Sequence, residues 1–500
     1  MENLDPYAFI RKNQLNRILI VTTSLMAVGY FFVITLLFTR GNPVLFWALI
    51  GGEAFHLWQV LTFCYTIWNT EYQVTKDYSS QPPVDIYVTV TGEPKEIVNE
   101  TVRAAMAQDY PTFNVFILND GLVAKKDNWQ EMEDLAAELG VTCITRTVPG
   151  GAKAGNINHA LSRTKSPWIV VFDADHIPYP SFLKTMMAHV TDDTVAFVQS
   201  PQYYKNHAVN YVTGGAWEQQ EIFFGAICKG KNRLNSAFMC GTNMLLRRKA
   251  IEEAGGMCET NIAEDFLTSL FIHEKGWRSV YVAEVLAEGL APEDFLSYYK
   301  QQYRWARGSL EVIFKYNPLF RRGLSWSQRI QYLASASYYL TGIVILIDSL
   351  FPLIFFFTGQ IPVQISTMTL SAVFIPYILF NIYSLQLSTN FAYTFRALAF
   401  SLASFTIHIR ALIAVILQQK TSFTVTSKTQ ITGNFLYLVT PQLIYIALAI
   451  IGSGLALSRE GANASVLNNI AWALLNVTVY LPFIAAASPE FKLPHLRKAH

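Results

Sequence analysis

The sequence predicts an α/β domain inserted between α-helical transmembrane segments, about six in number. Aliphatic, aromatic and cysteine residues make up 52% of the 500 residues, charged residues only 15%, and mean hydropathy is +0.25, a balance too apolar for a wholly water-facing chain. The apolar residues concentrate toward both ends, in runs long enough to cross a bilayer. Between them, from Val84, short β-branched runs alternate with helical patterns, the signature of βαβ units.

Met1 to Arg17 is polar and carries Arg11, Lys12 and Arg17; Ile18 to Phe38 is then an uncharged run with no small-residue cleavage site, hence an anchor. A turn, Thr39 to Asn42, leads to a second span from Pro43 to about Trp68, which holds the ionisable pair Glu53 and His56. Residues 69–83 form a polar, Pro-containing linker. The α/β domain is expected over 84–293, interfacial helices over 294–331, two spans over 332–388, a further interfacial helix and a loop over 389–434, two spans over 435–487 and a basic tail over 488–500. Phe395 to Gln418 is long enough to span, but Arg396, His408 and Arg410 recur along it, so it is assigned to the interface. Basic residues at both ends put the termini and the α/β domain on the cytosolic side of a cell membrane.

Within the domain, Asp85 to Thr91 is a strand, Pro94 to Gln108 a helix and Asn114 to Leu118 the next strand, closed by Asn119-Asp120-Gly121. Ligands collect at the carboxyl ends of such strands, which places Thr91, Glu93 and Asp120 at one crevice. Pro149 to Leu161 is a Gly-rich turn feeding a helix, with Lys153 able to meet phosphate. The strand Trp168 to Phe172 ends in Asp173-Ala174-Asp175-His176; residues two apart face one way, so Asp173 and Asp175 offer two oxygens to a hard cation, Mg2+ or Mn2+. Val195 to Ser200 is a further strand.

Glu264 and Asp265 open an amphipathic helix, where the dipole favours ionised carboxylates and hence a general base. Further on, Gln301, Arg304 and Trp305 set an amide, a guanidinium and an indole within about one and a half helical turns. That trio can hold a diphosphate and stack a sugar ring. A net charge of +2 leaves no basic field for nucleic acid. The cysteines (Cys64, Cys143, Cys228, Cys240, Cys258) form no C-x-x-C pair, so free thiols are expected, with no zinc.

From Val84 to Lys428 these motifs resemble the membrane-embedded, processive family 2 glycosyltransferases, above all the bacterial cellulose synthase catalytic subunit, with hyaluronan and chitin synthases as relatives. The shared pattern is a first Asp, Asp-x-Asp, Glu-Asp and Gln-x-x-Arg-Trp. The resemblance implies a GT-A-like fold with a mixed, mostly parallel sheet. It assigns Thr91, Glu93, Asp120, Lys153, Asp173, Gln301 and Arg304 to a UDP-sugar donor, Asp265 with Glu264 to catalysis, and Trp305 to the growing polysaccharide acceptor. Gln199 to Gln202 is similar to a pocket-lining segment, and Cys240, Gly241 and Thr242 to a motif beneath the acceptor sugar. Phe423, Val425, Thr426 and Lys428 resemble a gating loop over the donor. Two positions depart from the family: Thr91 and Gly92 stand where an aromatic and an Asn are usual, and Asn119 replaces the first of two acids.

The implied activity is inverting transfer of glucose or another hexose to a β-glucan such as cellulose, with secretion through the same protein and accessory secretion proteins as expected partners. A synthase adding one sugar to a lipid and a nucleotide-binding transporter or signalling protein are the alternatives. The short segment after the last span leaves no room for a C-terminal cyclic di-GMP-binding domain, so activity without that dinucleotide is expected unless a partner protein supplies the domain.

Overall fold

Residues 16–70, 76–364, 366–419, 431 and 433–488 are described in the computed structural model of the chain. The central strand β1 (Val84–Val90) is buried along its whole length, as its near-continuous apolar run requires of a strand covered on both faces. It lies between β2 (Phe113–Asn119) and β4 (Trp168–Asp173), parallel to both. β3 (Thr142–Thr145) extends the sheet beyond β2. On the other side β6 (Met244–Arg247) inserts antiparallel between β4 and β5 (Val195–Gln199), and β7 (Arg278–Tyr281) closes that edge parallel to β5. The order is β7-β5-β6-β4-β1-β2-β3, a mixed and mostly parallel sheet.

Helices cover both faces. On one, Val98, Val102 and Ala105 of Lys95–Met106 pack on Ile86, Val88, Val90 and Phe172. On the other, Ile157 and Ala160 of Ala152–Leu161 join Tyr87, Ile169, Val171 and Phe197. Burying this apolar area drives folding at ~25 cal/mol per Å2. The one carboxylate inside β1, Asp85, is satisfied by the Ser166 backbone N–H at 3.0 Å, the Ser166 hydroxyl at 2.7 Å and the Asn114 amide at 3.0 Å. A small sheet of Ile177–Pro178, Ala287–Gly289 and Tyr203–Tyr204 brings Gly289 beside His176.

Among the described residues, seven helices are long and apolar enough to cross a membrane: Arg17–Leu36, Pro43–Thr66, Trp326–Thr358, Met368–Ser388, Phe395–Ile416, Leu436–Glu460 and Ala464–Ala487. The chain is a multi-pass membrane protein by this pattern. The seventh candidate beyond the expected six is Phe395–Ile416, the stretch assigned to the interface. It is two helices, Phe395–Ala403 and Phe405–Ile416, joined at Ser404. Arg396 at its start pairs with Glu218 of Tyr211–Ile222. Past its end, the Arg307 guanidinium donates to the Gln419 carbonyl, and Ala411, Leu412 and Val415 pack on Ala306 and Leu310. Both ends therefore rest on elements that precede the first of the later membrane helices.

The expected turn at Thr39 to Asn42 instead pairs Thr39 and Arg40 with Gln364 and Val363, tying two inter-helix loops together. Among the membrane helices, the Tyr30 hydroxyl donates to Glu53 at 3.1 Å, and His56 lies 3.7 Å from the same carboxylate. Tyr30 also stacks on Tyr377, with ring centroids 4.4 Å apart. Such polar contacts fix helix pairs in an apolar medium, which gives Glu53 and His56 a packing role.

Candidate active site

The carboxyl ends of β1, β2 and β4 open on one side of the sheet, and the predicted residues gather there. At the end of β1 the Thr91 backbone N–H donates to the Glu93 carboxylate at 2.5 Å, so Glu93 caps its own turn. Gly92 in that turn has φ +94°, and a Cβ there would stand 2.6 Å from the Lys126 side chain, so only glycine fits. At the end of β2, Asp120 is gripped in bidentate fashion by Arg146, at 2.7 Å from Nε and 2.6 Å from Nη2. Arg146 also donates to the carbonyls of Gly150 and Ala152, so this pair shapes the Gly-rich turn before Lys153. Asp120 was expected to face the donor directly; the structure engages both its oxygens with Arg146.

Lys153, in the first turn of Ala152–Leu161, points across the crevice. Its ammonium pairs with Asp173 and donates to the Gly241 carbonyl at 2.7 Å. Burial alone would discharge it, but Asp173, Glu264 and Asp265 outweigh that and hold it above the ordinary lysine value. The Thr242 hydroxyl accepts from the Asp173 backbone N–H at 3.0 Å, and Thr89 lies 3.4 Å from the Asp173 carboxylate.

Asp173, Asp175 and His176 each offer a ligand atom, and these atoms lie within 4.8 Å of one another. Both ring nitrogens of His176 are buried without a hydrogen-bond partner among the described residues, and a Cβ on Gly289 would stand 2.4 Å from Nε2. Two carboxylates and an imidazole so placed fit a divalent cation of the Mg2+ or Mn2+ kind. His176 joins the expected Asp pair, and its position directly after Asp175 is the one signal the sequence carries for it.

Glu264 and Asp265 occupy the first turn of Glu264–Glu274, as expected. Burial raises both carboxyls; Glu264 beside it adds to the effect on Asp265, which is pushed up to about 7, while Lys153 opposes the rise in both. One Asp265 oxygen accepts from the Phe266 backbone N–H at 2.7 Å. A Cβ on Gly241 would stand 3.2 Å from the other, and Gly241 has φ +83°, so glycine leaves that oxygen room.

Helix Phe295–Glu311, N-capped by Asp294 onto the Ser297 N–H at 2.8 Å, carries Gln301, Arg304 and Trp305. Arg304 faces Glu264, Asp173 and Asp265; burial lowers its guanidinium and the three carboxylates push it back. Gln301 lies beside the buried Tyr204 hydroxyl, which is near Asp175 and Asp173. Tyr204 had no sequence signal. Trp305 is half-buried.

The Cys240–Thr242 turn is braced from β5. Gln199 accepts from the Cys240 N–H at 2.8 Å and donates to the Thr242 carbonyl at 2.8 Å, while Gln202 donates to the Cys240 carbonyl at 2.6 Å. Burial pushes the Cys240 thiol well above its ordinary value, so it is no nucleophile. The predicted loop residues Phe423, Val425, Thr426 and Lys428 lie outside the described residues.

Residues 82–308 match the glycosyltransferase-like family 2 profile, and residues 253–452 match that of cellulose synthase. The chain is 32% identical over 429 residues to cellulose synthase 1 of Komagataeibacter xylinus, an alignment covering 81% of this chain and 27% of that protein. It is 30% identical over 448 residues to a UDP-forming cellulose synthase catalytic subunit of Komagataeibacter sucrofermentans, covering 84% and 58% respectively. The chain thus spans less than two thirds of the length of either relative. A mannosyltransferase from Pyrobaculum calidifontis, solved in complex with GDP-Man and Mn2+, superposes with a TM-score of 0.52 at 17% identity, over 75% of this chain and 100% of that one. This likeness establishes the GT-A-like fold.

Proposed function

The chain belongs to the family 2 glycosyltransferases of the cellulose synthase type, and on that premise we propose that it transfers a hexose, in the first instance glucose, from a UDP-sugar to the non-reducing end of a growing β-glucan and passes the polymer through its own helices. One observation carries this: Asp265, Glu264, Lys153, Asp173 and Arg304, contributed by four separate segments, converge on one buried crevice and perturb one another's charge.

Asp265 takes the proton from the acceptor hydroxyl. The hydroxyl oxygen forms the new bond to the anomeric carbon as the bond to UDP breaks, and UDP leaves with the electron pair, so the configuration inverts. Arg304 and Lys153 face the leaving diphosphate and offset its charge where it develops. Asp173, Asp175 and His176 would hold a divalent cation, which when bound acts as a Lewis acid on the diphosphate. Glu93 and the Arg146-braced turn form the nucleotide end of the crevice, and Gln301 with Tyr204 its sugar side. Cys240, Gly241 and Thr242 line the acceptor side, where Trp305 stacks the terminal sugar.

Glu264, whose charge helps raise the Asp265 carboxyl, sets the charge around that base. The Phe423 to Lys428 segment would cover bound donor and exclude water. Basic residues near both ends of the sequence support a cytosolic site on a cell membrane, with accessory secretion proteins receiving the polymer beyond it.

Purified chain in lipid, supplied with a panel of UDP-sugars and a divalent cation, tests this by UDP release and product length. Long β-glucan from one donor is the expected result. A single-sugar lipid product would identify a glycolipid synthase, and no UDP release from any donor would favour a transporter or signalling role.

A further inference from the structure

Between the crevice and the membrane helices lies a joint that the proposed chemistry does not use. The short helix Cys228–Arg233 is set against the end of the membrane helix Pro43–Thr66 and the start of Trp326–Thr358. Gly230 abuts Thr66 so closely that a Cβ would stand 2.2 Å from the Thr66 carbonyl oxygen, and Arg233 donates to the Tyr65 carbonyl at 2.9 Å. One carbonyl left over at a helix C-terminus, that of Tyr65, is thus met by this segment, and the backbone of Gly230 lies against the next. The Gln331 amide donates to the Thr66 hydroxyl at 2.8 Å, which locks the two membrane helices together at this level.

Lys231 is the centre of the joint. It is 2% exposed, although lysine is rarely buried without a partner. Its ammonium donates to the Gln331 carbonyl at 3.1 Å and lies 5.4 Å from the centroid of the Phe238 ring. Phe238 meets Phe266 edge-on at 4.7 Å, and the Phe266 N–H is the donor that orients Asp265. Phe238 also leads directly into Cys240–Thr242. The titratable groups around Lys231 are Cys228 on its own helix, Cys240, and His273, with Tyr332 next to Gln331. Among the described residues no carboxylate pairs with it.

We propose that Lys231 is a positioning residue for the transfer step, holding the acceptor-side turn and, through Phe238 and Phe266, the Asp265 carboxylate in register with the ends of two membrane helices. This rests on the glycosyltransferase function proposed above. Burial also lowers the Lys231 ammonium to about 7, so as pH rises past neutrality its attraction to the Phe238 ring is lost and its hydrogen bond to Gln331 weakens.

The test is kinetic, on the full chain in lipid, with UDP release and glucan length measured across pH for the wild type, Lys231→Met and Lys231→Arg. Lys231→Met should lower kcat about tenfold or more and shorten the product, because a small displacement of reacting groups is enough for such a loss. Donor KM should change much less than kcat, since Lys231 reaches the donor side only through the Cys240–Thr242 turn. Lys231→Arg should recover much of the rate and lose the fall in rate on the alkaline side. A Lys231→Met chain with wild-type kcat and product length, or a Lys231→Arg chain with an unaltered alkaline limb, overturns the proposal. Failure of the underlying function is visible separately, as a wild-type chain that releases no UDP from any donor.

Discussion

The Lys153 ammonium donates to the Gly241 carbonyl at 2.7 Å, joining the helix after the Gly-rich turn to the segment that precedes β6. The same nitrogen pairs with Asp173, so one side chain links the metal-type cluster to the acceptor-side turn. Lys153→Met should therefore reduce kcat by ~10²-fold or more, as removal of a charge aimed at a developing anion does. Circular dichroism and detergent-exclusion profiles should remain those of the wild type. A variant with wild-type kcat would take Lys153 out of the reaction.

Asp265→Asn keeps shape and removes the base. Transfer should fall by ~10²-fold or more while UDP binding, followed by calorimetry, stays within about twofold. Near-normal polymer from a folded Asp265→Asn preparation would require another base.

The cation prediction has three arms. Asp173→Ala, Asp175→Ala and His176→Ala should each weaken Mn2+ or Mg2+ binding by more than about tenfold. Chelator should stop UDP release, and added cation should restore it. Undiminished turnover in excess chelator would remove the cation from the site.

The pH dependence follows from Asp265. Its carboxyl is raised to about 7 by burial and by Glu264, so the basic form is gained as pH rises through neutrality, and kcat/KM should climb over that range. Glu264→Gln takes away the like charge but leaves the burial, and should move the rising limb to lower pH. An unmoved limb would mean that Glu264 does not act on Asp265.

Asp120 and Arg146 are nearly fully buried, and either alone is an uncompensated charge. Asp120→Ala should cost about 3–5 kcal/mol of stability, and denaturant unfolding of the α/β domain would show it. Loss of donor binding without loss of stability would instead place Asp120 in direct contact with the nucleotide.

Strands 84–90, 113–119 and 168–173 and the helix opening at Glu264 were legible because each is a local pattern: β-branched runs ended by acids, and an acidic pair ahead of an apolar stripe. The insertion of Met244–Arg247 between β4 and β5 was not, since strand order is set by packing across the whole sheet. The same distinction runs through the site. Asp173 and Asp175 announce themselves by spacing, whereas the engagement of Asp120 by Arg146 joins residues with no shared motif. Tyr204 reaches Gln301 from a two-residue strand too short to carry a period. The break at Ser404 is illegible in the sequence for a related reason: both halves are apolar, and no Gly or Pro marks the joint.

That broken helix has a mechanical consequence. Arg396 fastens one end to Glu218, Gln419 fastens the other to Arg307, and between them His408 packs against Gly342 at the head of a membrane helix. A displacement of this helix would therefore be felt at once by the head of the membrane helix and by Phe295–Glu311, the helix that carries Gln301, Arg304 and Trp305 beside Arg307.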